Sequence, residues 1–333
     1  MTPTANKTIH ITGGCGYVGS RVARALTDKG YQVVVIDKAT PEERHADLPV
    51  GVEYRKANLT EPVAALEALK DAKAVIHLAA NIGPVNYMWE RQGEILWENN
   101  AIDAATYPAL RDVGCELVLY SSSSMVFQNA PHYPYTEADI KETPAPTNVY
   151  GFSKLGGEYF CRSFMKQYGH PHFVIVRFHN IYGPGEDSKG STPGDIHVIP
   201  ALLEKVLRGQ YPLEFIGNPE ATRPFTYVDD AVAAVVALFE AALAGDGKVL
   251  DDDFNIATPE AMKILDLGAY IWERYGDGRP FEWKATETDA SKTTSYRREA
   301  DVSKLMKAVG WKPRTSFDEG LAKTAEWVKG KIK

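Results

Sequence analysis

The first half of the chain alternates two kinds of hydrophobic pattern. Short β-branched runs, Thr8–Thr12, Gln32–Ile36, Val52–Lys56, Ala74–Leu78, Glu116–Ser121 and Phe173–Phe178, read as six strands. Between them lie stretches with helical spacing: Val18–Lys29, stopped by Gly30, then Glu61–Leu69, Glu90–Val113 and Tyr150–Tyr168. Pro108 is expected to bend or break the third of these helices. Near-continuous apolar strands joined by helices predict a parallel sheet covered on both faces.

After Phe178 the pattern changes. Pro and Gly cluster in Tyr182–Gly194; a helix follows at Ile199–Arg208 and a strand near Leu213–Ile216. Asp229–Leu243 is an Ala-rich helix, and Phe254–Ala257 is a late strand for the main sheet. The tail, Lys263–Lys333, holds further helices. The second half therefore reads as a smaller lobe interleaved with the first. The expected division is 1–178, with 225–257 returning to it, against 179–224 and 258–333.

Composition narrows the class of function. A net charge of −7 over 333 residues carries no basic footprint for nucleic acid. No apolar run reaches membrane-spanning length, and Met1–Lys7 lacks the apolar core of a secretory signal. Cys15, Cys115 and Cys161 have no metal-ligand spacing, so no metal site is expected. They read as small buried residues of a chain in the reducing cytoplasm.

Two constellations carry chemistry. Thr12-Gly13-Gly14-Cys15-Gly16-Tyr17-Val18-Gly19 lies between a strand and a helix and contains G-x-G-x-x-G at Gly14, Gly16 and Gly19. Glycines there allow a pyrophosphate to approach the backbone, and the helix N-terminus faces it with free N–H groups. Asp37 closes the next strand, 18 residues after Gly19, where a carboxylate would accept the adenosine ribose hydroxyls. It would repel a 2′-phosphate, which favours NAD over NADP; Lys38 beside it weakens that preference a little. In the second constellation, Tyr150 and Lys154 are four apart and share a helix face. A Lys ammonium and a positive nicotinamide ring would bring the Tyr pKa, normally ~10, toward a working acid/base range. Ser121–Ser124, at the carboxyl end of the fifth strand, lie where open α/β sheets bind ligands and where one hydroxyl could meet a substrate.

With these motifs in order, the chain resembles the extended short-chain dehydrogenase/reductases, in particular nucleotide-sugar epimerases and dehydratases. Further residues carrying the resemblance are His77-Leu78-Ala79-Ala80, Arg177-Phe178-His179-Asn180-Ile181-Tyr182-Gly183-Pro184 and Thr222-Arg223-Pro224-Phe225-Thr226-Tyr227-Val228-Asp229-Asp230. The resemblance implies an α/β fold, a Rossmann-type doubly wound parallel sheet with a smaller C-terminal substrate-binding lobe. It implies NAD as cofactor, a nucleotide-diphosphate sugar as substrate, and a homodimer built through the helices near 91–113 and 150–168.

It also implies roles. Ser123 would touch the reacting hydroxyl, Tyr150 would be the acid/base and Lys154 its modulator. Asn58-Leu59 would meet the adenine, while Leu78, Ala79, Ala80, Ser121, Phe178 and His179 would line the cofactor. Asn99, with Asn100 as the alternative register, would complete the cofactor site. Ser124 and Met125 would border the substrate, Asn180 and Arg223 would hold its diphosphate, and His197-Val198 would meet the nucleotide. A second diphosphate arginine is expected at Arg297 or Arg298.

The departures shape the reaction. Family 4,6-dehydratases carry Asp-Glu where this chain has Ser124-Met125, and 3,5-epimerases and fucose-synthase-like members place a Cys nearby. Phe127 replaces a Tyr, and His179 replaces an aromatic beside the nicotinamide; a functional His there could act as an additional acid. A base contributed by Gly83–Trp89 would reopen dehydration or 3,5-epimerisation. The expected reaction is epimerisation at C4 through a transient 4-keto sugar, as in UDP-glucose and UDP-glucuronate 4-epimerases. The alternatives are a nucleotide-4-keto-sugar reductase, a 4,6-dehydratase or 3,5-epimerase and, more distantly, a non-catalytic NAD(P)-sensing protein.

Overall fold

A computed structural model describes residues 8–186, 197–292 and 295–332; Met1–Lys7 and the end of the Pro- and Gly-rich stretch lie outside the described residues. The first half runs β1 (Thr8–Thr12), α1 (Tyr17–Asp28), β2 (Gln32–Asp37), β3 (Glu53–Lys56), α2 (Pro62–Ala68) and β4 (Ala74–His77). It continues through α3 (Val85–Glu90), α4 (Gln92–Asp112), β5 (Leu117–Ser123), α5 (Val149–Tyr168) and β6 (His172–Phe178). The second half holds β7 (Ile181–Tyr182), α6 (Val198–Leu207), β8 (Leu213–Ile216), β9 (Thr222–Arg223), β10 (Thr226–Tyr227) and α7 (Val228–Leu243). It ends with β11 (Asp252–Ile256), β12 (Met262–Lys263), α8 (Ile264–Tyr275), β13 (Trp283–Thr286), α9 (Asp289–Lys292), α10 (Ser303–Val309) and α11 (Phe317–Ile332).

Seven strands form one parallel sheet in the order β11-β6-β5-β4-β1-β2-β3. The alternation along β2 shows how the sequence builds two cores. Val33 and Val35 face a core that also takes Val22, Ala23 and Leu26 of α1 and the buried face of α7. Val34 and Ile36 face the opposite core, with Ala65 and Ala68 of α2, Ile102 and Leu110 of α4 and Cys161 of α5. β2, β4, β5 and β6 give apolar residues to both cores, as a buried parallel sheet requires, whereas β1 gives Ile9 and Ile11 to one core and the buried polar His10 and Thr12 to its other face. The late strand joins this sheet beside β6, as its sequence suggests.

Pro108 lies inside α4 without ending it; Tyr107, Ala109 and Leu110 are buried around it, so tertiary packing offsets the lost backbone bond. That helix starts at Gln92, and Val85–Glu90 forms a separate helix that its sequence does not announce. The tail also holds two short strands, β12 and β13, that its pattern does not reveal. Three two-stranded pairs, β7 with β10, β8 with β13 and β9 with β12, form the remaining β structure around α6, α8 and α11.

Strand order reverses at β1, between β2 and β4, which opens a crevice at the carboxyl ends of the strands.

Candidate functional site

A cavity of about 1820 Å³ fills that crevice and continues between the sheet and the second-half elements. It exceeds the usual space for one drug-sized ligand. At one end it is walled by Gly13, Gly16, Tyr17, Val18 and Gly19. Gly19 lets α1 seat on the loop, since a Cβ there would fall 2.3 Å from the Gly13 carbonyl oxygen. The α1 N-terminus has no side-chain cap and no acidic residue in its first turn, so its positive end is left for an anion.

Asp37 lies beside this loop, where its two oxygens accept the N–H groups of Cys15 (3.1 Å) and Ala39 (3.0 Å). Lys38 also faces the cavity, ion-paired to Glu98. Asn58, Leu59, Leu78, Ala79 and Ala80 line the same end, with Ser121 and Phe178 deeper in. These residues fit a dinucleotide: a bare glycine cradle, an acid at the ribose end and apolar walls.

Gly14, Asn99, its alternative Asn100 and His179, all expected contacts, are not on the cavity wall. Gly14 turns its bare Cα to the sheet, where a Cβ would come within 2.8 Å of Val35. Asn99 faces inward and acts as a clip: its side chain accepts from the Asn81 N–H (2.6 Å) and donates to the Asn81 carbonyl (3.1 Å) and the Ser153 hydroxyl (3.1 Å). Asn100, the other register, bonds back to Leu96 of its own helix. His179 is fully buried. Its Nδ1 donates to the Arg177 carbonyl (2.9 Å) and its Nε2 accepts from the Tyr135 hydroxyl (3.0 Å), which defines a neutral ring. Burial brings its pKa down to about 3, so it is a packing residue behind the site and not an acid in it.

Tyr150 and Lys154 reach the cavity from α5, yet each is over nine-tenths buried. Asn148 fixes the start of that helix by accepting the N–H groups of Tyr150 (3.0 Å) and Gly151 (3.2 Å). Burial raises the Tyr150 pKa, and a hydrogen bond with Ser123 draws it back. Burial also brings the Lys154 ammonium down to about 8. Ser123 ends β5 and its hydroxyl accepts the Met125 N–H at 3.2 Å. Ser123, Tyr150 and Lys154 therefore form one cluster, with Ser124 and Met125 on the adjoining wall. Ser122, of the same cluster in sequence, instead donates to Glu158 (2.6 Å).

The far end is cationic. Arg223 donates to the backbone carbonyls of Thr222 (2.7 Å) and Ser295 (2.7 Å). Arg298 donates to the Asn180 side-chain oxygen at 3.1 Å and touches the Met125 sulfur. Neither guanidinium has an acidic partner among the described residues. Burial, and for Arg223 also Arg298, lowers both pKa values. The Arg298 Nε and the Asn180 Nδ2 are buried donors without partners among the described residues. Two such cations and two orphan donors describe a place for a polyanion. Arg297, by contrast, pairs with Glu299 (2.6 Å) and is absent from the wall.

His197 and Val198 line the cavity where α6 begins. Glu186, which sequence reading missed, pairs with His197 at 2.6 Å; the acid following Gly183-Pro184-Gly185 was its only trace. From the stretch after β4, Gly83, Pro84, Val85 and Met88 reach the wall, whereas Tyr87 turns to the Asn81 side chain (2.8 Å) and Trp89 does not line the cavity. The three cysteines are buried, and burial pushes the Cys15 and Cys115 thiols up to about 12. Among the described residues no cluster of potential metal ligands occurs, and no helix is long and apolar enough to cross a membrane.

Comparison with known proteins agrees with this geometry. A putative UDP-glucose 4-epimerase of Methanocaldococcus jannaschii is 27% identical over 96% of this chain and 98% of its own. A GDP-mannose 3,5-epimerase of Arabidopsis thaliana is 26% identical over 99% of this chain and 84% of its own. The crystal structure of a UDP-galactose 4-epimerase superposes with a TM-score of 0.79 at 26% identity, covering 98% of this chain and 100% of that one. The family model for the NAD dependent epimerase/dehydratase family matches residues 9–257, the whole span from β1 to the last strand of the main sheet, and the chain belongs to that NAD-dependent family.

Proposed function

We propose that the chain is an epimerase that inverts C4 of a nucleotide-diphosphate sugar. The observation that carries this reading is the composition of the wall around Ser123, Tyr150 and Lys154. The neighbours of Ser123 are Ser124 and Met125, and the stretch after β4 adds only Gly83, Pro84, Val85 and Met88 beside Ile82. Among the described residues this wall offers one phenol as acid/base and no second base from that stretch for a carbon-bound proton. Single-carbinol chemistry needs no more.

NAD, held by the glycine loop, Asp37 and the walls around Leu78–Ala80, supplies reversible hydride chemistry when bound. Tyr150 takes the proton of the 4-hydroxyl and later returns it. Lys154, as an ammonium, stabilises the phenolate during that exchange. Ser123 holds the sugar oxygen while C4 is planar. Arg223, Arg298 and Asn180 anchor the diphosphate, so the sugar can turn and present its other face. The relatives with uridine and guanosine nucleotides leave the base open, and the cavity accommodates a dinucleotide beside a nucleotide sugar.

We also propose that two copies pair through α4 and α5. Trp97 and Tyr159, on these packed helices, are each 65% exposed, which a paired surface would cover.

NMR of the purified protein with a panel of nucleotide sugars in deuterated buffer tests the activity. Inversion at C4 without deuterium on carbon supports it. Deuterium at C3, C5 or C6 overturns it in favour of enolisation or elimination, and turnover only with added NAD(P)H would mean a reductase.

A further inference from the structure

Behind Tyr150 and Lys154 lies a second set of polar groups, wholly inside the protein. Asp103 of α4 is 3% exposed. Its carboxylate accepts from His77 Nε2 (3.1 Å) and from the Tyr120 hydroxyl (3.2 Å). The other nitrogen of His77 meets the Thr12 hydroxyl at 2.6 Å, and that oxygen also receives the Ala79 N–H at 3.3 Å. One end of the chain of contacts therefore reaches the glycine loop and the cavity wall. At the other end, the Lys154 nitrogen lies 4.9 Å from the centre of the Tyr120 ring. Gly157, one turn beyond Lys154, has no side chain at this point. A Cβ there would lie 1.8 Å from the Tyr120 hydroxyl and 2.7 Å from Asp103 Oδ2. The helix bearing Lys154 thus rests directly on the Asp103–Tyr120 pair.

A buried ammonium needs a counter-charge. The groups facing Lys154 are Asp103 of α4, Tyr120 of β5, and Glu158 and Cys161 of its own helix. Glu158 is already matched by the Arg177 guanidinium at 2.8 and 2.7 Å and by Ser122. Burial pushes the Cys161 thiol and the Tyr120 phenol far up, so both stay neutral. Asp103 has no Arg partner; among the described residues its ion-pair partner is the His77 ring. It is also the foremost influence opposing the burial that depresses the Lys154 pKa.

We propose that Asp103 is a positioning residue for the reaction: its carboxylate, set by His77 and Tyr120 beneath α5, keeps Lys154 an ammonium facing the cavity. The inference rests on Tyr150 and Lys154 being the acid/base pair.

The test reads Lys154 directly. The full chain is labelled with 13C at lysine Cε, and the Lys154 resonance is assigned by its loss in K154M. The midpoint of its pH titration is then compared in the wild type, D103N, D103S and D103E. The expected midpoint is near pH 8 in the wild type. It moves about one unit lower in D103N and D103S and returns in D103E. kcat at pH 8 then falls about fivefold in the two neutral variants, the loss of ammonium expected for that displacement. Two neutral variants of different size keep the test independent of one of them folding. A midpoint unmoved in whichever of them folds overturns the proposal and leaves Asp103 a structural group. Failure of the functional reading would look different: the wild type would turn over no nucleotide sugar, while the titration would still report on Asp103.

Discussion

Arg177 of β6 grips Glu158 with two hydrogen bonds, 2.8 and 2.7 Å long, two turns beyond Tyr150 on α5. Both side chains are fully inside the protein, and Asp253 of β11 bonds the same guanidinium at 2.8 Å. This ties the helix that carries Tyr150 and Lys154, the proposed acid/base pair, to the sheet that carries Ser123. Removing the cation strands the buried Glu158 carboxylate, because Asp253 keeps Arg162 and Lys304, whereas removing cation and acid together strands neither. R177M is expected to lose about 3–5 kcal/mol in urea unfolding. The double variant R177M/E158M should recover a substantial part of that loss. Equal losses in both would mean that the pair contributes packing and not charge compensation.

The acid/base assignment makes a sharper demand on kinetics than on binding. Y150F keeps the ring that fills the wall and removes the proton-carrying oxygen. It is expected to reduce kcat by about 10²–10⁴-fold, the usual range for a lost general acid/base. NAD affinity, read by calorimetry, should stay within about threefold of the wild type because a single hydrogen bond contributes little net binding. A Y150F enzyme with normal kcat would remove the phenol from the mechanism.

The two late arginines offer a paired comparison. Arg298 is half-buried beside Asn180, its Nε without a partner among the described residues, whereas Arg297 is exposed and satisfied by Glu299. Loss of a charge-assisted contact corresponds to about 1.5–3 kcal/mol, or roughly 10- to 150-fold. R298M should raise KM for a nucleotide sugar by that factor, and R297M should change it less than about threefold. The reverse ranking would place the diphosphate elsewhere.

These cases also show what could be seen in the sequence. The glycine loop, Asp37, Tyr150 and Lys154 were legible as cavity residues because local spacing fixes where they point: the end of a strand, the start of a helix, one helix face; within Ser121–Ser124 only the family resemblance singled out Ser123. The sheet was legible because β2, β4, β5 and β6 are apolar on both faces and recur between helical stretches. Arg297 and Arg298 are neighbours in an irregular segment, and only the bridge that sets Arg297 opposite Thr222 turns one outward and the other inward. Asn99 sits on the expected helix, but its face is decided by packing against Asn81 and Ser153, 18 and 54 residues away in sequence, which no local motif rule reaches. Val85–Glu90 shows no helical signal because it is short and buries no residue fully. His179 shares a motif with residues that do line the cavity, yet alternation past the end of β6 sends Phe178 to the wall and His179 behind it, and the left-handed turn at Asn180, φ 40°, brings that residue to the wall.

That burial of His179 makes an acid-stability prediction. The ordinary pKa of 6.5 applies to the unfolded chain, and the folded value is about 3 because burial disfavours the charged ring. Below pH 6.5 the unfolded chain binds a proton that the folded one refuses. Stability from this group is therefore complete above pH 6.5 and is lost as pH falls toward 3, by up to about 1.4 kcal/mol per pH unit. Between pH 7 and pH 5 the wild type should lose about 2 kcal/mol more than H179F in urea unfolding. H179F will itself be less stable at pH 7 by about 1–3 kcal/mol, since Tyr135 and the Arg177 carbonyl lose their partner. Some acid sensitivity should persist in the variant, because burial also lowers the pKa of His10. The shape of the kcat–pH profile should not change, as the ring neither reaches the cavity nor titrates in the working range. A limb of that profile that disappears in H179F would return His179 to the chemistry.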